Sequence, residues 1–210
     1  MTGLLDSVRI NSLVIENRIQ MAPMSVGYAG ENGVVTDKLI KHYVDRAEKT
    51  GIIITGHAYV EPVGQFNKGQ LGIFSDEHVP GLRKLTKAVH DVGTPIGVQI
   101  SHAGGLAPPS LVGQAPVAPS LVPGAKETPI VLTESQVEEL VEKFAQAAER
   151  AVNAEFDLIE IHGAHGFLLN QFFSPLTNKR EDRYGGSLEN RMRFPLQVVT
   201  RIRDVVGKNH

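Results

Sequence analysis

The residues of this 210-residue chain best suited to chemistry are histidines and amides that follow short apolar runs. His162-Gly163-Ala164-His165 follows one such run, Gln99 and His102 lie at the end of another, Gly56-His57 follows a third, and Pro23-Met24-Ser25 follows a fourth. Two imidazoles three residues apart, just past a strand, can converge on one ligand oxygen and stabilise negative charge that develops there. Metal binding is the rival reading, because His-x-x-His can ligate zinc, although no third ligand stands at a familiar spacing. Taken singly, Gln99 is also readable as a hydrogen-bonded core amide. His57 and His102 are readable as loop residues without a task.

The elements that must position these groups alternate in type. Short apolar runs separated by longer amphipathic stretches give a βαβα pattern, which points to an α/β fold with a mostly parallel sheet covered by helices. Val8–Ile15 alternates around Asn11-Ser12 and predicts a β-hairpin that plugs the bottom of a barrel. Four βα units follow it. The strands are expected near Arg18–Ala22, Ile52–Thr55, Ile96–Ile100 and Phe156–Ile161. The helices are expected after Thr36 with Gly51 as the stop, over Gly81–Val92, behind the Thr133-Glu134-Ser135-Gln136 capping box, and over Leu188–Val206 with a kink at Pro195. The segment His102–Leu132 carries six of the twelve prolines and far exceeds an ordinary βα connection, so it reads as a lid or substrate wall. In a (β/α)₈ barrel the reacting groups sit at the C-terminal ends of the strands, where the histidines and amides above fall.

Composition narrows the function. A formal net charge of −2 leaves no basic face of the kind nucleic acid requires. The absence of cysteine excludes disulfides and thiolate-held metals within this stretch. No signal peptide and no membrane-length apolar run is legible, and the expectation is a cytoplasmic protein.

Three stretches carry a resemblance. The run His162–Pro175, then Asn178-Lys179-Arg180, then Tyr184–Arg191, is similar almost residue for residue to the signature of the old yellow enzyme family, the NADH:flavin oxidoreductases. Asn17-Arg18-Ile19 through Ala22-Pro23-Met24 resembles that family's first strand, and Gln99–Gly104 resembles its third. The resemblance runs the length of the chain in collinear order and implies the first four units of an FMN-binding (β/α)₈ barrel, an N-terminal half forming a single incomplete domain over 1–210.

It further implies that Pro23, Met24 and Ser25 meet the flavin through their backbones, that Gly56 and His57 lie on its pyrimidine side, and that Gln99 meets its polar edge. NADH or NADPH would reduce the flavin, which would pass hydride to an activated alkene such as an enone, its oxygen held by His162 and His165. Four departures stand out. Phe167 replaces a tyrosine that donates a proton in many members, leaving Tyr28 or water as substitute. Ser25 stands where some members have a redox-tuning cysteine, and His57 where a smaller residue is usual. The fourth is the later strands, with their phosphate-binding loops and a basic residue beside the flavin.

Exposed sheet edges invite a homo-oligomer or a completing chain. The alternative to an FMN-dependent oxidoreductase is therefore a non-catalytic or truncated half-barrel that needs a partner or a longer chain. A metal-dependent hydrolase on the same fold is a third reading.

Overall fold

The computed structural model describes residues 3–121 and 126–208. Strands β1 (Val8–Ile10) and β2 (Leu13–Ile15) form the expected hairpin, pairing Ile10 with Leu13. Its two-residue turn is possible because Asn11 adopts φ 51°, a left-handed conformation that asparagine tolerates better than most residues.

Four strands then build one parallel sheet in chain order: β3 (Gln20–Met21), β4 (Ile52–Tyr59), β5 (Ile96–Ser101) and, after two short strands in the long excursion, β8 (Leu158–Ile161). The excursion pairs β6 (Val117–Ala118) with β7 (Ile130–Val131) and includes one turn of helix, α3 (Pro109–Val112). Each crossover between main strands carries a helix: α1 (Asp37–Ala47), α2 (Val79–His90) and α4 (Glu134–Asn153). After β8 come a short α5 (Leu168–Phe173) and the long α6 (Leu188–Val206). Sequential parallel pairing with one covering helix per strand is the arrangement of the first four units of a (β/α)₈ barrel.

Side-chain alternation gives the sheet two unlike faces. Ile53, Val98 and Ile100 join Leu39, Leu82, Leu85, Phe144, Phe194 and Val198 in the core beneath the helices. Each such fully buried side chain contributes roughly 1.5–3 kcal/mol. On the opposite face Ile52 and Ile54 pack on Ile15 of the hairpin, with Leu158 against them, so the hairpin does close the N-terminal end of the inner face.

Two local expectations are corrected. Gly51 does not stop α1, which is capped at Glu48 and turned by Lys49 at φ 66°. Gly51 is instead a close-approach residue, where a Cβ would lie 2.2 Å from the Asn17 carbonyl oxygen. Helix α2 begins at Val79 rather than Gly81, because Pro80 is well placed in a first turn, where no intrahelical N–H is needed. Helix α6 has its expected bounds, Leu188–Val206, with Pro195 inside it. The capping box is formed as expected, with Thr133 accepting from the Gln136 N–H and the Gln136 side chain accepting from the Thr133 N–H.

Candidate active site

The expected residues gather at the C-terminal ends of the four parallel strands. After β3 the chain passes over Pro23, Met24 and Ser25, and the N–H groups of Met24 and Ser25 find no protein acceptor among the described residues. This loop lies so close to β4 that a Cβ on Gly56 would stand 2.3 Å from the Met24 carbonyl oxygen. Gly56 thus sets the loop's height above the sheet. Its own N–H donates to the Tyr43 hydroxyl at 2.8 Å, and the Ser25 hydroxyl donates to Asn67 Oδ1 at 3.1 Å.

A bulge aims His57. Thr55 pairs with Val98 and Ala58 with Ile100, so Gly56 and His57 together oppose the single residue Gln99. The extra residue shifts the phase of β4 and brings His57 to the side of the sheet that Gln99 faces, a common use of bulges beside functional sites. The His57 ring lies 6.0 Å from His162 and 5.2 Å from Phe167, centroid to centroid, with Phe66 closing the cluster at 5.2 Å from Phe167.

His162 and His165 stand edge to face at 5.1 Å. Between β8 and α5 the chain turns on two left-handed residues, His165 at φ 56° and Gly166 at φ 74°. For a non-glycine residue that conformation costs about 1–2 kcal/mol. It is held by the Gly166 N–H donating to Asn170 Oδ1 and by Gln171, which donates to the Gly166 carbonyl. Strain retained in this way is characteristic of a site whose geometry is functional.

Electrostatics keeps the His57 and His162 imidazoles uncharged. Burial, reinforced by the neighbouring His165, lowers His57 to about 4, and burial with His57 and His165 nearby lowers His162 to about 4. Both are neutral at pH 7. The Ala164 N–H donates to His162 Nδ1 at 3.2 Å, so the proton of that ring is on Nε2.

Several partners were not evident from sequence. Gln99 donates to Glu160 Oε1 at 2.5 Å, tying β5 to β8 across the inner face. His102 is fully enclosed: its Nδ1 accepts from the Gly104 N–H and its Nε2 donates to Glu61, which also pairs with Lys143 of α4. Burial pushes the Glu61 carboxyl upward, but the hydrogen bonds and charges of His102 and Lys143 outweigh it and bring it to about 2. His102 therefore braces the loops behind the site. Tyr28 packs edge-on against His42 and beneath the Lys38 ammonium, both on α1. No group of three or more potential metal-ligating side chains occurs among the described residues.

Much of the motif after His165 is scaffolding. Buried Asn178 donates to the carbonyls of Phe172 and Tyr184, and Arg180 reaches Pro119 and Leu132 of the long excursion while pairing with Asp182. A Cβ on Gly185 would lie 1.9 Å from the Arg180 carbonyl oxygen.

The sequence pattern of the NADH:flavin oxidoreductase / NADH oxidase family matches residues 4–210. The chain belongs to this family. It is 46% identical to an NADH oxidase of Thermoanaerobacter brockii over 99% of its own length and 33% of that protein. It is 41% identical to an NADPH dehydrogenase of Bacillus subtilis strain 168, covering 96% of this chain and 60% of that one. Among solved structures, morphinone reductase superposes with a TM-score of 0.91 at 35% identity, covering 98% of this chain and 59% of the reductase. An old yellow enzyme homologue from Zymomonas mobilis does so at 0.91 and 34%, over 99% of this chain and 61% of that one. The chain thus spans between a third and about three-fifths of the length of these relatives.

Proposed function

We propose that this chain is the FMN-binding, substrate-binding half of an NAD(P)H-dependent oxidoreductase that reduces an activated alkene such as an enone. The observation that carries the reading is the pair His162 and His165, one buried and held neutral, at the C-terminal end of the same parallel sheet as the Met24 and Ser25 N–H groups, which have no acceptor among the described residues.

The residues fit a flavin. The N–H groups of Met24 and Ser25 can donate to a ring atom, Gly56 keeps the surface at β4 flat, and Gln99 retains an amide oxygen beyond its bond to Glu160. FMN, when bound, supplies hydride transfer between the nicotinamide and the alkene. The chain supplies the rest. His162 offers an Nε2–H and, with His165, receives the carbonyl or nitro oxygen that polarises the alkene. Donors aimed where negative charge develops lower the barrier to hydride addition, and one such donor is commonly worth about 10²–10³ in rate. Because the buried imidazole is neutral, it donates without presenting a fixed cation to the solvent.

Phe167 occupies the cluster but has no proton to give, and Tyr28 is the proton-donor candidate of the first βα loop. Solvent-deuterium incorporation at the substrate α-carbon in Tyr28→Phe checks this: unchanged incorporation removes Tyr28 from the role. A solved morphinone reductase complex with tetrahydroNAD, TM-score 0.90 and 34% identity, supports a nicotinamide as reductant. The choice between NADH and NADPH follows from steady-state rates with each. With no cysteine to protect and no helix among the described residues long and apolar enough to cross a membrane, we place the enzyme in the cytoplasm.

The direct test is anaerobic. The FMN-loaded chain is reduced with NADH or NADPH and reoxidised with 2-cyclohexenone, following flavin absorbance. Reoxidation that slows about a hundredfold or more in His162→Ala/His165→Ala supports the reading, and equal rates in both proteins contradict it.

A second reading has its own observation. Among the described residues, strands β3 and β8 each pair on one side only, so this sheet presents two open edges. On this reading turnover needs further strands from a longer chain or a second copy. Sizing chromatography at several concentrations, with and without FMN, tests the second copy: a concentration-independent monomer removes it.

A further inference from the structure

We propose that Gln70 locks His57 as its Nε2–H tautomer, and that His57 is a third hydrogen-bond donor to the substrate's oxygen-bearing group, beside His162 and His165. The inference rests on the alkene-reductase reading for the identity of the ligand, but not for the tautomer.

Gln70 lies in the connection between β4 and α2 and is 1% exposed. Its Oε1 accepts from the N–H groups of Phe66 at 2.7 Å and Asn67 at 3.4 Å. Two backbone donors on one end settle which end is oxygen, an assignment a lone amide would leave open. The NH₂ end must therefore face His57. It donates to the His57 carbonyl at 3.1 Å and contacts the ring at Nδ1, 2.7 Å away. An amide NH₂ has no lone pair to offer, so Nδ1 is the acceptor and the ring proton resides on Nε2. The Ser101 hydroxyl, 3.4 Å from the same Nδ1, is a second donor available to it.

Across the ring, Nε2 has no hydrogen-bond partner among the described residues. The phase shift at Gly56-His57 turns this ring toward His162 and Phe167 rather than into the helix layer. His162 is held in the same tautomer by the Ala164 N–H. Two buried or half-buried imidazoles with centroids 6.0 Å apart thus each carry an Nε2–H, each oriented by a partner on the far side of its ring. A ligand that suits them carries a polarised or anionic oxygen, such as an enone carbonyl, a nitro group or a phenolate. Gln70 touches neither ligand nor flavin on this account and is a positioning residue.

The experiment uses the 210-residue chain with ¹⁵N-labelled histidine. Long-range ¹H–¹⁵N correlation distinguishes the two tautomers, and the signal that vanishes in His57→Gln identifies His57. In the wild type at pH 7 without ligand, His57 is expected as the Nε2–H form. The Nδ1–H form would overturn the proposal without touching the family-level function, because this reading needs no flavin.

In Gln70→Glu a carboxylate of nearly the same shape faces Nδ1. At pH 8 the proton is expected to move to Nδ1, leaving a lone pair at Nε2. In the FMN-loaded protein, 4-hydroxybenzaldehyde is then expected to bind about ten- to a hundredfold more weakly, the loss of one hydrogen bond to a charged oxygen. On titrating that phenol into the wild type, the Nε2 signals of His57 and His162 should shift together. A shift at His162 alone, or a flipped tautomer with unchanged affinity, would overturn the third-donor role. No shift at any of the three histidines would overturn that role together with the substrate site of the proposed function. The wild-type spectra decide the matter even if Gln70→Glu does not fold.

Discussion

Replacing Gly56 with alanine tests how the site is built, because the added methyl meets backbone and not a movable side chain. The new Cβ would stand 2.3 Å from the Met24 carbonyl oxygen, 2.8 Å from its carbon and 3.1 Å from Ser25 Cα, where ordinary contact begins near 3.4 Å. The Met24–Ser25 loop must retreat by about 1 Å, and overpacking of this kind costs roughly 1–3 kcal/mol. For a chain of this size that corresponds to a fall in Tm of roughly 2–12 °C. The residue does not occupy the left-handed region, so nothing is added for backbone strain. The displaced loop is the one whose N–H groups we propose as flavin contacts, and the affinity for FMN should fall about tenfold or more, since a 1 Å misplacement can cost about two orders of magnitude in function. Gly185→Ala is the matched control: its Cβ would lie 1.9 Å from the Arg180 carbonyl oxygen, in the scaffold between α5 and α6. It should lower Tm comparably while leaving FMN affinity within about twofold in the folded protein. Thermal unfolding and flavin-fluorescence titration of both variants supply the comparison. A Gly56→Ala protein with wild-type Tm and FMN affinity would refute the argument, and equal loss of FMN in both variants would show that the loop has no special part in it.

Acid should destabilise the chain in a defined window. His57 and His162 are held near 4 when folded against an ordinary value of 6.5, so the unfolded chain binds more protons between those values. The stability these two rings contribute is present above pH 6.5 and is lost as pH falls toward 4. Tm measured across that range should fall less in a His57→Gln/His162→Asn protein. Asn178→Ala strands two carbonyls, those of Phe172 and Tyr184, and should lower stability by roughly 2–6 kcal/mol, read from the urea midpoint at unchanged slope. Thr133→Ala removes half of the capping box on α4 and should cost about 1 kcal/mol by the same measurement.

The barrel half was legible because its signals are local. β-branched runs such as Ile52-Ile53-Ile54, the Thr133–Gln136 capping box and the Asn11-Ser12 turn each act within a few residues, and each has its expected structure. What escaped is tertiary. The bulge at Gly56-His57 exists only relative to the register of β5, and nothing in the composition of β4 announces it. Gln70 lies in a connection without periodicity, 13 residues from the ring it orients. The Glu61–His102–Lys143 group joins residues 41 and 82 positions apart. Helix α5 has only six residues, too few for a helical period to show. The motif after His165 was informative about ancestry, yet the scaffold role of Asn178, Arg180 and Gly185 within it depends on contacts that residue type and spacing do not announce.

The central claim is that this half-barrel holds FMN with the His162 and His165 imidazoles over it, His162 being neutral. An FMN titration of the 210-residue chain, followed by addition of a phenol, measures this directly in the wild type and in His162→Ala/His165→Ala. The account predicts saturable FMN binding by both proteins and a long-wavelength charge-transfer band on adding phenol to the wild type alone. A folded chain that binds no FMN, or a double variant that keeps the phenol band unchanged, would contradict it.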